Sequence, residues 1–284
     1  MILITPADEN LGLSSLDPGA SVSLSREEIK EALRYNVKEI ANLQEALFAE
    51  GRQSLLIVLQ GMDTSGKDGV VKHVLSGVNP VGLHIVSFKA PTSEELNHDF
   101  WWRHGRGLPN RGQIGVFIRS HYEETVIVRV HPEILEKQKL KSELKGPDLW
   151  DWRFHSIREI ELHLVRNGFR IIKFFLHVSK DDQRVELLER IDKLSKRWKF
   201  NMQDVEERAF WDQYQNAYDE TIRNTSTTYA PWYVIPSNDK WFSRLLVSNV
   251  VVSTLRSMNP QYPETTEEQE HKLTEAKRFL NLGL

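Results

Sequence analysis

A glycine-rich segment in the first quarter of the chain carries residue types that bind phosphate. Residues 61 to 67 read GMDTSGK and place two glycines and a lysine at the spacing G-x-x-x-x-G-K. In such a loop the backbone N–H groups surround a phosphate while the lysine adds a positive charge. The sequence therefore predicts a phosphate site. Its expected contacts are Gly61, Thr64, Ser65, Gly66, Lys67, Asp68 and Lys72.

Two carboxylates in this segment indicate a metal ion as well. Asp68 stands where a Ser or Thr that binds magnesium usually follows the lysine, and Asp63 lies inside the loop. A carboxylate in that place can reach a cation that is bound to phosphate. We therefore expect Mg²⁺, with Mn²⁺ as an alternative, and Asp63 as its protein ligand.

The flanking residues predict the strand and the helix that must hold this loop. Leu55 to Leu59 is continuously apolar, which is typical of a strand buried on both faces of a parallel sheet. From Lys67 to about Leu75 valines recur at helical spacing, so that the positive end of a helix dipole would face the anion. A glycine-rich turn without a ligand is the alternative, and the strand and helix around the loop argue against it.

A second group of polar residues follows another predicted strand, Ile114 to Ile118. Residues 119 to 124 read RSHYEE and come where ligands bind in open parallel sheets, beyond the C-terminal ends of the strands. Glu123 and Glu124 could equally form the solvated first turn of a helix, which carboxylates favour.

Aromatic rings and cations are mixed in residues 98 to 111, after a predicted strand from His84 to Phe88. This mixture suits a nucleotide base that is stacked beside its phosphates. The alternative is that the rings lie in the core and the arginines lie in solvent. Together with RSHYEE, this region supplies the predicted nucleotide contacts Lys89, Arg103, His121, Tyr122, Glu123 and Glu124.

The composition excludes several classes of protein. The chain has 284 residues, of which 40% are hydrophobic and 27% are charged, as in an ordinary globular protein. A net charge of −3 argues against nucleic acid as a partner, and the absence of cysteine excludes disulfides and thiolate chemistry. The apolar runs predict neither a secretion signal nor a membrane span, so we expect a cytoplasmic protein.

The rest of the chain alternates between strand and helix patterns. Two further strands are predicted at 170–177 and 230–235, and a capping box at Ser25 begins a helix that ends at Gly51. The other predicted helices are 147–168, one capped by residues 179–182, 204–221 and 241–255. Five strands that alternate with helices predict an α/β fold, a P-loop kinase-like three-layer α/β/α sandwich with a central parallel five-stranded sheet and a helical lid.

Three parts of the chain are expected. They are an N-terminal arm and helix at 1–50, of which 1–24 form an extended surface arm, a P-loop kinase-like catalytic domain at 51–258, and a helical extension at 259–284. The amphipathic end of this extension is expected to dock on the body or on a neighbour. Residues 190–199 hold five cations, a pattern that by itself usually marks a solvated surface.

Several of these segments together resemble the second family of polyphosphate kinases, which pass phosphoryl groups between inorganic polyphosphate and nucleotides. The matching motifs, in chain order, are GMDTSGKDG, KAPTSEE, RSHYEE, ERIDKLSKRWKF and TSTTYAPWYVIPSNDKWFSRL. The resemblance extends from about residue 51 to residue 255. It implies a reversible, Mg²⁺-dependent transfer of a phosphoryl group from polyphosphate directly to AMP or ADP.

The resemblance also implies roles for individual residues. Lys67 would hold phosphate, Asp63 would place magnesium, and Arg119 would brace the transferring group. With Arg190 these residues form the expected catalytic set. A mobile basic lid at about 190–205 would close over the polyphosphate with Arg190, Lys193, Lys196, Arg197 and Lys199.

One position departs from the family pattern. The residue before Arg119 is an Asp or Asn that anchors magnesium in relatives, whereas here it is Ile118. Isoleucine cannot bind Mg²⁺, so the metal must be held by Asp63, by waters, or by Glu123 or Glu124. RSHYEE resembles the branch of the family that accepts AMP as well as ADP.

Two other functions and the wider partners stay open at this point. An ATP-dependent nucleoside or nucleotide kinase would use the same phosphate loop, and a non-catalytic P-loop module would bind nucleotide without turnover. The expected partners are polyphosphate and adenine nucleotides, with guanine nucleotides as an alternative. Neither nucleic acid nor a membrane is expected, and self-association to a dimer or a tetramer is.

Overall fold

The structure is a computed structural model and describes residue 7 and residues 12–282. Its centre is one sheet of five parallel strands in the order β2-β3-β1-β4-β5. The strands are β1 Ser54–Gln60, β2 Leu83–Ser87, β3 Ile114–Ile118, β4 Phe169–His177 and β5 Trp232–Pro236. The predicted parallel five-stranded sheet is thus confirmed. Each predicted strand matches its observed one within two residues at either end.

Helices connect the strands and cover both faces of the sheet. The α-helices of the described residues are α1 Arg26–Glu50, α2 Lys67–Val74, α3 Trp102–Arg106, α4 Ile127–Val130, α5 Pro132–Lys137, α6 Leu149–Arg166, α7 Lys180–Asp192, α8 Met202–Glu206, α9 Trp211–Thr225, α10 Lys240–Met258 and α11 Glu267–Asn281. Short 3-10 helices lie at Leu13–Ser15, Pro80–Gly82, Glu95–Asn97, His121–Glu124, Ser142–Lys145, Leu194–Lys199 and Glu207–Phe210.

The two faces of the sheet carry separate apolar layers. On one face α1, α2 and α10 pack on the strands through residues such as Ile40, Val74 and Val251. On the other face α6 and α9 pack through residues such as Ile157 and Ile222. Because β1, β3 and β4 are covered on both sides, their sequences are largely apolar rather than alternating. This arrangement confirms the three-layer α/β/α fold.

The N-terminal helix is part of this core. Its capping box forms as predicted, since Ser25 Oγ accepts from Glu28 N and the Glu28 carboxylate accepts from Ser25 N. The helix packs along α10, where Asn36 Nδ2 donates to Ser248 Oγ at 2.8 Å. The end of α1 also follows the prediction, because Gly51 takes a left-handed φ of 64°.

One predicted helix differs from the structure. The helix predicted at 204–221 is divided into α8, a 3-10 turn and α9, because Phe210 leaves helical geometry at ψ 14°. The predicted surface arm lies on the surface where it is described, since residues 12–24 are exposed or half-buried except Leu13. It is anchored by Ala7 N, which donates to Trp232 O at 2.7 Å, and by the buried Leu13. Most of residues 1–11 lie outside the described residues.

The C-terminal segment does not dock on the body of this chain, so of the two expected alternatives only docking on a neighbour stays a prediction. All side chains described between residues 261 and 282 are exposed. Helix α11 therefore begins with a capping box at Thr266 and continues without burying an apolar face in this chain.

Candidate phosphate and nucleotide site

The phosphate loop joins the end of β1 to the start of α2 and needs glycine at two places. Gly61 has φ 145°, and a Cβ there would lie 2.7 Å from Leu176 O, so no larger residue fits. Gly66 has φ 104° and caps α2, which begins at Lys67. The loop thus directs its backbone and the positive end of the α2 dipole toward one point at the sheet edge.

Lys67 extends back over this loop. Its Nζ donates to Gly61 O at 2.6 Å and to Met62 O at 3.1 Å. Loss of water around the ammonium group, assisted by the charge of Arg119, lowers the pKa of Lys67 to about 8. The carboxylates of Asp63, Glu123 and Asp68 oppose this shift. Because this ammonium group has little water and only carbonyl partners around it, a bound phosphate would stabilise its charge strongly.

Asp63 and Arg119 form an ion pair across the mouth of the loop. Arg119 Nη2 lies 2.8 Å from Asp63 Oδ1. Arg119 takes the left-handed φ of 60°, and its N–H donates to Leu59 O at 3.0 Å. Partial burial disfavours the charge of Arg119, yet the carboxylates of Glu123 and Asp63 outweigh it and raise the pKa of its guanidinium. The pair therefore holds a permanent cation beside the phosphate loop.

The phosphate loop opens into a cavity of about 980 Å³. The cavity brings together residues from six separate segments of the chain: the loop, the ends of β2 and β3, the lid, and the starts of α1 and α10. The predicted residues that line it are Asp63, Thr64, Gly66, Lys67, Asp68, Lys89, Arg119, Arg190, Lys196 and Lys199. Ile118 lines it as well.

The predicted basic lid, at about 190–205, contains the end of α7, the 3-10 helix Leu194–Lys199 and most of α8. Arg190 is held by Asp204, with 2.9 Å between Nη1 and Oδ2, while Glu189 pairs with Lys193 and Lys196. Large apolar side chains are exposed here, among them Trp198 at 78%. This segment has few buried contacts, which is typical of parts that open at low cost.

Five predicted phosphate contacts do not line the cavity. Lys72 is exposed on α2, Lys193 pairs with Glu189, and Arg197 Nε donates to Ile191 O at 2.8 Å. Gly61 and Ser65 do not line it either, because their side-chain positions face the interior of the loop.

Two predicted nucleotide contacts, His121 and Tyr122, are wrong, because both side chains lie in the core. Tyr122 Oη donates to Glu161 Oε1 at 2.7 Å and accepts from Lys173 Nζ at 2.8 Å. Lys173, fully buried in β4, also lies 2.7 Å from Glu161 Oε2. These residues fix the RSHYEE segment to β4 and α6, so that Arg119 and Glu123 keep their places.

A second cavity, of about 500 Å³, lies on the other side of this segment. Arg153 donates to Glu124 Oε2 at 2.6 Å, and its guanidinium lies 4.5 Å from the centre of the Phe100 ring. Gln138 Nε2 donates to the same Glu124 oxygen at 2.6 Å. Arg103 lines this cavity and donates to Lys89 O at 2.7 Å, which connects it to the phosphate cavity.

Sequence reasoning missed Gln138 and Arg153. Both lie outside any motif, and they reach Glu124 from α6 and from the connection before it. Gln138 lies in a long connection without a clear helical or strand period, and such connections often carry functional residues. Arg153 lies in the predicted helix 147–168, where no motif marks it.

With this geometry established, the chain can be compared with known proteins. The family model described as Polyphosphate kinase 2 matches residues 23–263. The chain belongs to the polyphosphate kinase 2 family. The resemblance stated from the motifs is therefore confirmed, and with it the expectation of a kinase fold.

Individual relatives agree with this family assignment. The "ADP-polyphosphate phosphotransferase" of Rhodopseudomonas palustris is 48% identical over 257 residues, which cover 90% of this chain and 89% of that protein. The "AMP/ADP-polyphosphate phosphotransferase" of Meiothermus ruber is 47% identical, over 82% of this chain and 84% of that protein. The crystal structure of Polyphosphate Kinase 2 from Arthrobacter aurescens TC1 superposes with a TM-score of 0.86 at 35% identity, over 95% of both chains.

The donor atoms of this polyphosphate kinase 2 chain suit magnesium bound through phosphate. No three His, Asp or Glu side chains converge as a metal cluster within the described residues. Magnesium, however, keeps several waters and takes one or two carboxylates together with phosphate oxygens. Asp63 and Asp68 line the cavity beside Lys67 and would supply those carboxylates. Ile118 lines the same cavity and offers no ligand to a metal.

No helix in residues 12–282 is long and apolar enough to cross a membrane.

Proposed function

We propose that this member of the polyphosphate kinase 2 family transfers a phosphoryl group between inorganic polyphosphate and ADP or AMP. The observation that carries the proposal is the cavity in which Lys67, Arg119, Arg190, Lys196 and Lys199 converge on one phosphate loop. Such a concentration of cations suits a donor that bears about one charge per phosphate. The names of the relatives from Rhodopseudomonas palustris and Meiothermus ruber support both acceptors.

Catalysis in this site rests on position and charge. Phosphoryl transfer requires little covalent help from a protein, because alignment and neutralisation of charge lower most of the barrier. Lys67 and the amides of the loop would hold one phosphate, and Arg119 would brace the group in transit. A divalent cation held by Asp63 and Asp68 would neutralise the phosphate oxygens. No phosphoenzyme is involved in this scheme.

The ion pair between Arg119 and Asp63 has a part in this scheme. In the ligand-free site the two groups neutralise each other at 2.8 Å. When substrate binds, Asp63 would contact the divalent cation and Arg119 would contact a phosphate, so each side chain exchanges one charged partner for another. The site therefore avoids leaving either charge buried and unpaired before substrate enters.

We assign the second cavity to the nucleoside of the acceptor. Phe100 and the guanidinium of Arg153 offer flat surfaces for a base, and Glu124 and Gln138 offer acceptors for its amino group. Arg103 and Lys89 lie between this cavity and the phosphate loop, where the phosphates of the nucleotide would run. Glu123, beside Arg119, completes the predicted nucleotide set that this proposal keeps.

Arg190, Lys196 and Lys199 are proposed to close over the donor. Their segment is tied to the body by the pair between Arg190 and Asp204. Lys193 and Arg197, which do not line the cavity, would enter it only if the lid moves. We also propose self-association through the exposed side chains of α11, among them Leu273 and Leu280.

The test omits ATP. ADP, Mg²⁺ and polyphosphate are mixed with the enzyme, and formation of ATP is measured; AMP is then used in place of ADP, and ADP is measured. We expect product from both acceptors. Replacing Lys67 by Ala should lower the rate about 10²- to 10³-fold, as for the loss of one group that stabilises developing charge.

Lys38→Ala is the matched control, because Lys38 is exposed on α1 and touches no part of the cavity. An ATP-dependent nucleotide kinase would form no more ATP from ADP with polyphosphate than without it, and a non-catalytic module would bind nucleotide without product. Full activity of the Lys67→Ala variant would refute the assignment of the loop.

A further inference from the structure

Three cations surround Trp241, which lines the phosphate cavity at the start of α10. The charged centres of Arg244, Lys30 and Arg26 lie 4.7, 5.5 and 6.0 Å from the centre of the Trp241 ring. Arg26 and Lys30 come from the first turns of α1, whereas Arg244 comes from α10. We refer to these four residues as the tryptophan cluster.

The positive charge of the tryptophan cluster is not neutralised. Among the described residues, none of its three cations has a carboxylate within 4.0 Å. The carboxylate of Asp239 instead caps α10 by accepting from Trp241 N and Phe242 N. Like charges held this close repel each other, and burial together with Arg26 lowers the pKa of Arg244. The carboxylate of Asp239 opposes this shift, and an anion bound from outside would relieve the remaining repulsion.

The cluster continues the phosphate loop. Lys240 and Arg244 are four residues apart on α10 and lie on one side of that helix. A Cβ on Gly66 would lie 3.3 Å from Lys240 Cδ, and one on Gly69 would lie 3.0 Å from Arg244 Nη2. Lys240, Arg244, Trp241 and Arg26 all line the same cavity as Lys67. Cations therefore line this cavity from the phosphate loop to the start of α1, and of these Lys240 also lies 3.7 Å from Asp182 Oδ2.

We infer that the tryptophan cluster is a distal subsite for polyphosphate, which binds phosphates of a long donor beyond those that reach the phosphate loop. A base stacked on Trp241 fits less well, because the ring is already approached by three cations and by His73, whose ring centre is 5.3 Å away. An extended polyanion needs no free aromatic face. The inference rests on the proposed function and adds to it a preference for long chains.

The test compares donors of two lengths. Binding of hexaphosphate and of long-chain polyphosphate is measured by isothermal titration calorimetry for the wild type and for Arg26→Gln/Lys30→Gln. We expect the Kd for the long chain to rise about fivefold, as for the loss of two partly exposed charge contacts, and the Kd for hexaphosphate to rise much less. Lys38→Gln/Arg166→Gln removes the same charge from exposed positions of α1 and α6 that line neither cavity, and it should change neither Kd.

Each other outcome has a definite meaning. If the Kd values for the two donors rise by the same factor, the cations act only through the overall electrostatic field of the protein, and the distal subsite is refuted. An unchanged Kd for the long chain refutes it too. ATP formation from ADP is measured in parallel: wild-type enzyme that binds polyphosphate but forms no ATP would refute the proposed function, while the ratio of the two Kd values would still report on the cluster.

Discussion

Binding of polyphosphate is expected to be accompanied by protonation of Lys67. In the ligand-free site its Nζ contacts only uncharged oxygens at hydrogen-bond distance, those of Gly61 and Met62 at 2.6 and 3.1 Å and that of Ser65 Oγ at 3.5 Å. Loss of water lowers its pKa from the ordinary 10.5 to about 8. A phosphate in the loop places negative charge beside the ammonium group and raises this pKa again.

The size of the effect follows from the fraction of neutral lysine before binding. With a pKa of about 8, Lys67 is neutral in about a tenth of the molecules at pH 7, about half at pH 8 and about nine-tenths at pH 9. Since the bound lysine stays charged over this range, the number of protons taken up per site equals the fraction of neutral lysine before binding and rises with pH in the same way. Binding must supply that proton, so affinity for polyphosphate falls as pH rises above about 8 and approaches a tenfold loss per pH unit.

Calorimetry in buffers of different ionisation enthalpy measures this uptake directly. Polyphosphate is titrated into metal-free enzyme at pH 7, 8 and 9, and the slope of heat against buffer enthalpy gives the protons taken up. Lys67→Arg is the control, because guanidinium stays charged throughout and its slope reports any protons exchanged by the ligand. Uptake that does not grow with pH, or that is equal in the arginine variant, would refute the reasoning about Lys67.

Two further predictions concern the core and the metal. Lys173→Met leaves the Glu161 carboxylate buried without its cation, so the free energy of unfolding should fall by about 3–5 kcal/mol and the melting temperature by about 10 °C. In thermal melts, Lys173→Met/Glu161→Leu should recover most of this loss; no recovery would contradict a role for charge. Ile118→Asp adds a carboxylate to the phosphate cavity, and the Mg²⁺ concentration for half-maximal activity should fall about tenfold. A magnesium titration that shows no fall would place the metal elsewhere.

The phosphate loop could be predicted from sequence because its chemistry is local. Gly61 and Gly66 need positive φ, Lys67 follows at once, and the apolar run before them is long enough for one buried strand. The sheet could be predicted for the same reason, since each strand is a short apolar run between turn residues. Arg119 was found through its position directly after a strand, the place where parallel sheets bind ligands.

Buried polar partners were not predictable in this way. Lys173 stands within an apolar strand, and nothing near it in sequence indicates Tyr122 or Glu161 as its partners. RSHYEE looked like a set of ligand contacts because its residues are polar, yet the 3-10 turn directs His121 and Tyr122 inward. Outside helices and strands, side chains follow no regular period, so the sequence shows which residues are polar but not which of them face the core.

The sequence by itself was sufficient to predict the parallel sheet, the phosphate loop and the family, because local backbone preferences and motifs depend on residues that are close together in the chain. Only the tertiary structure decided which cations share a cavity. Arg26 and Arg244 lie near opposite ends of the chain, and they meet at Trp241 because α1 packs along α10. Electrostatic energy depends on distance in space, which the order of residues along a chain does not contain.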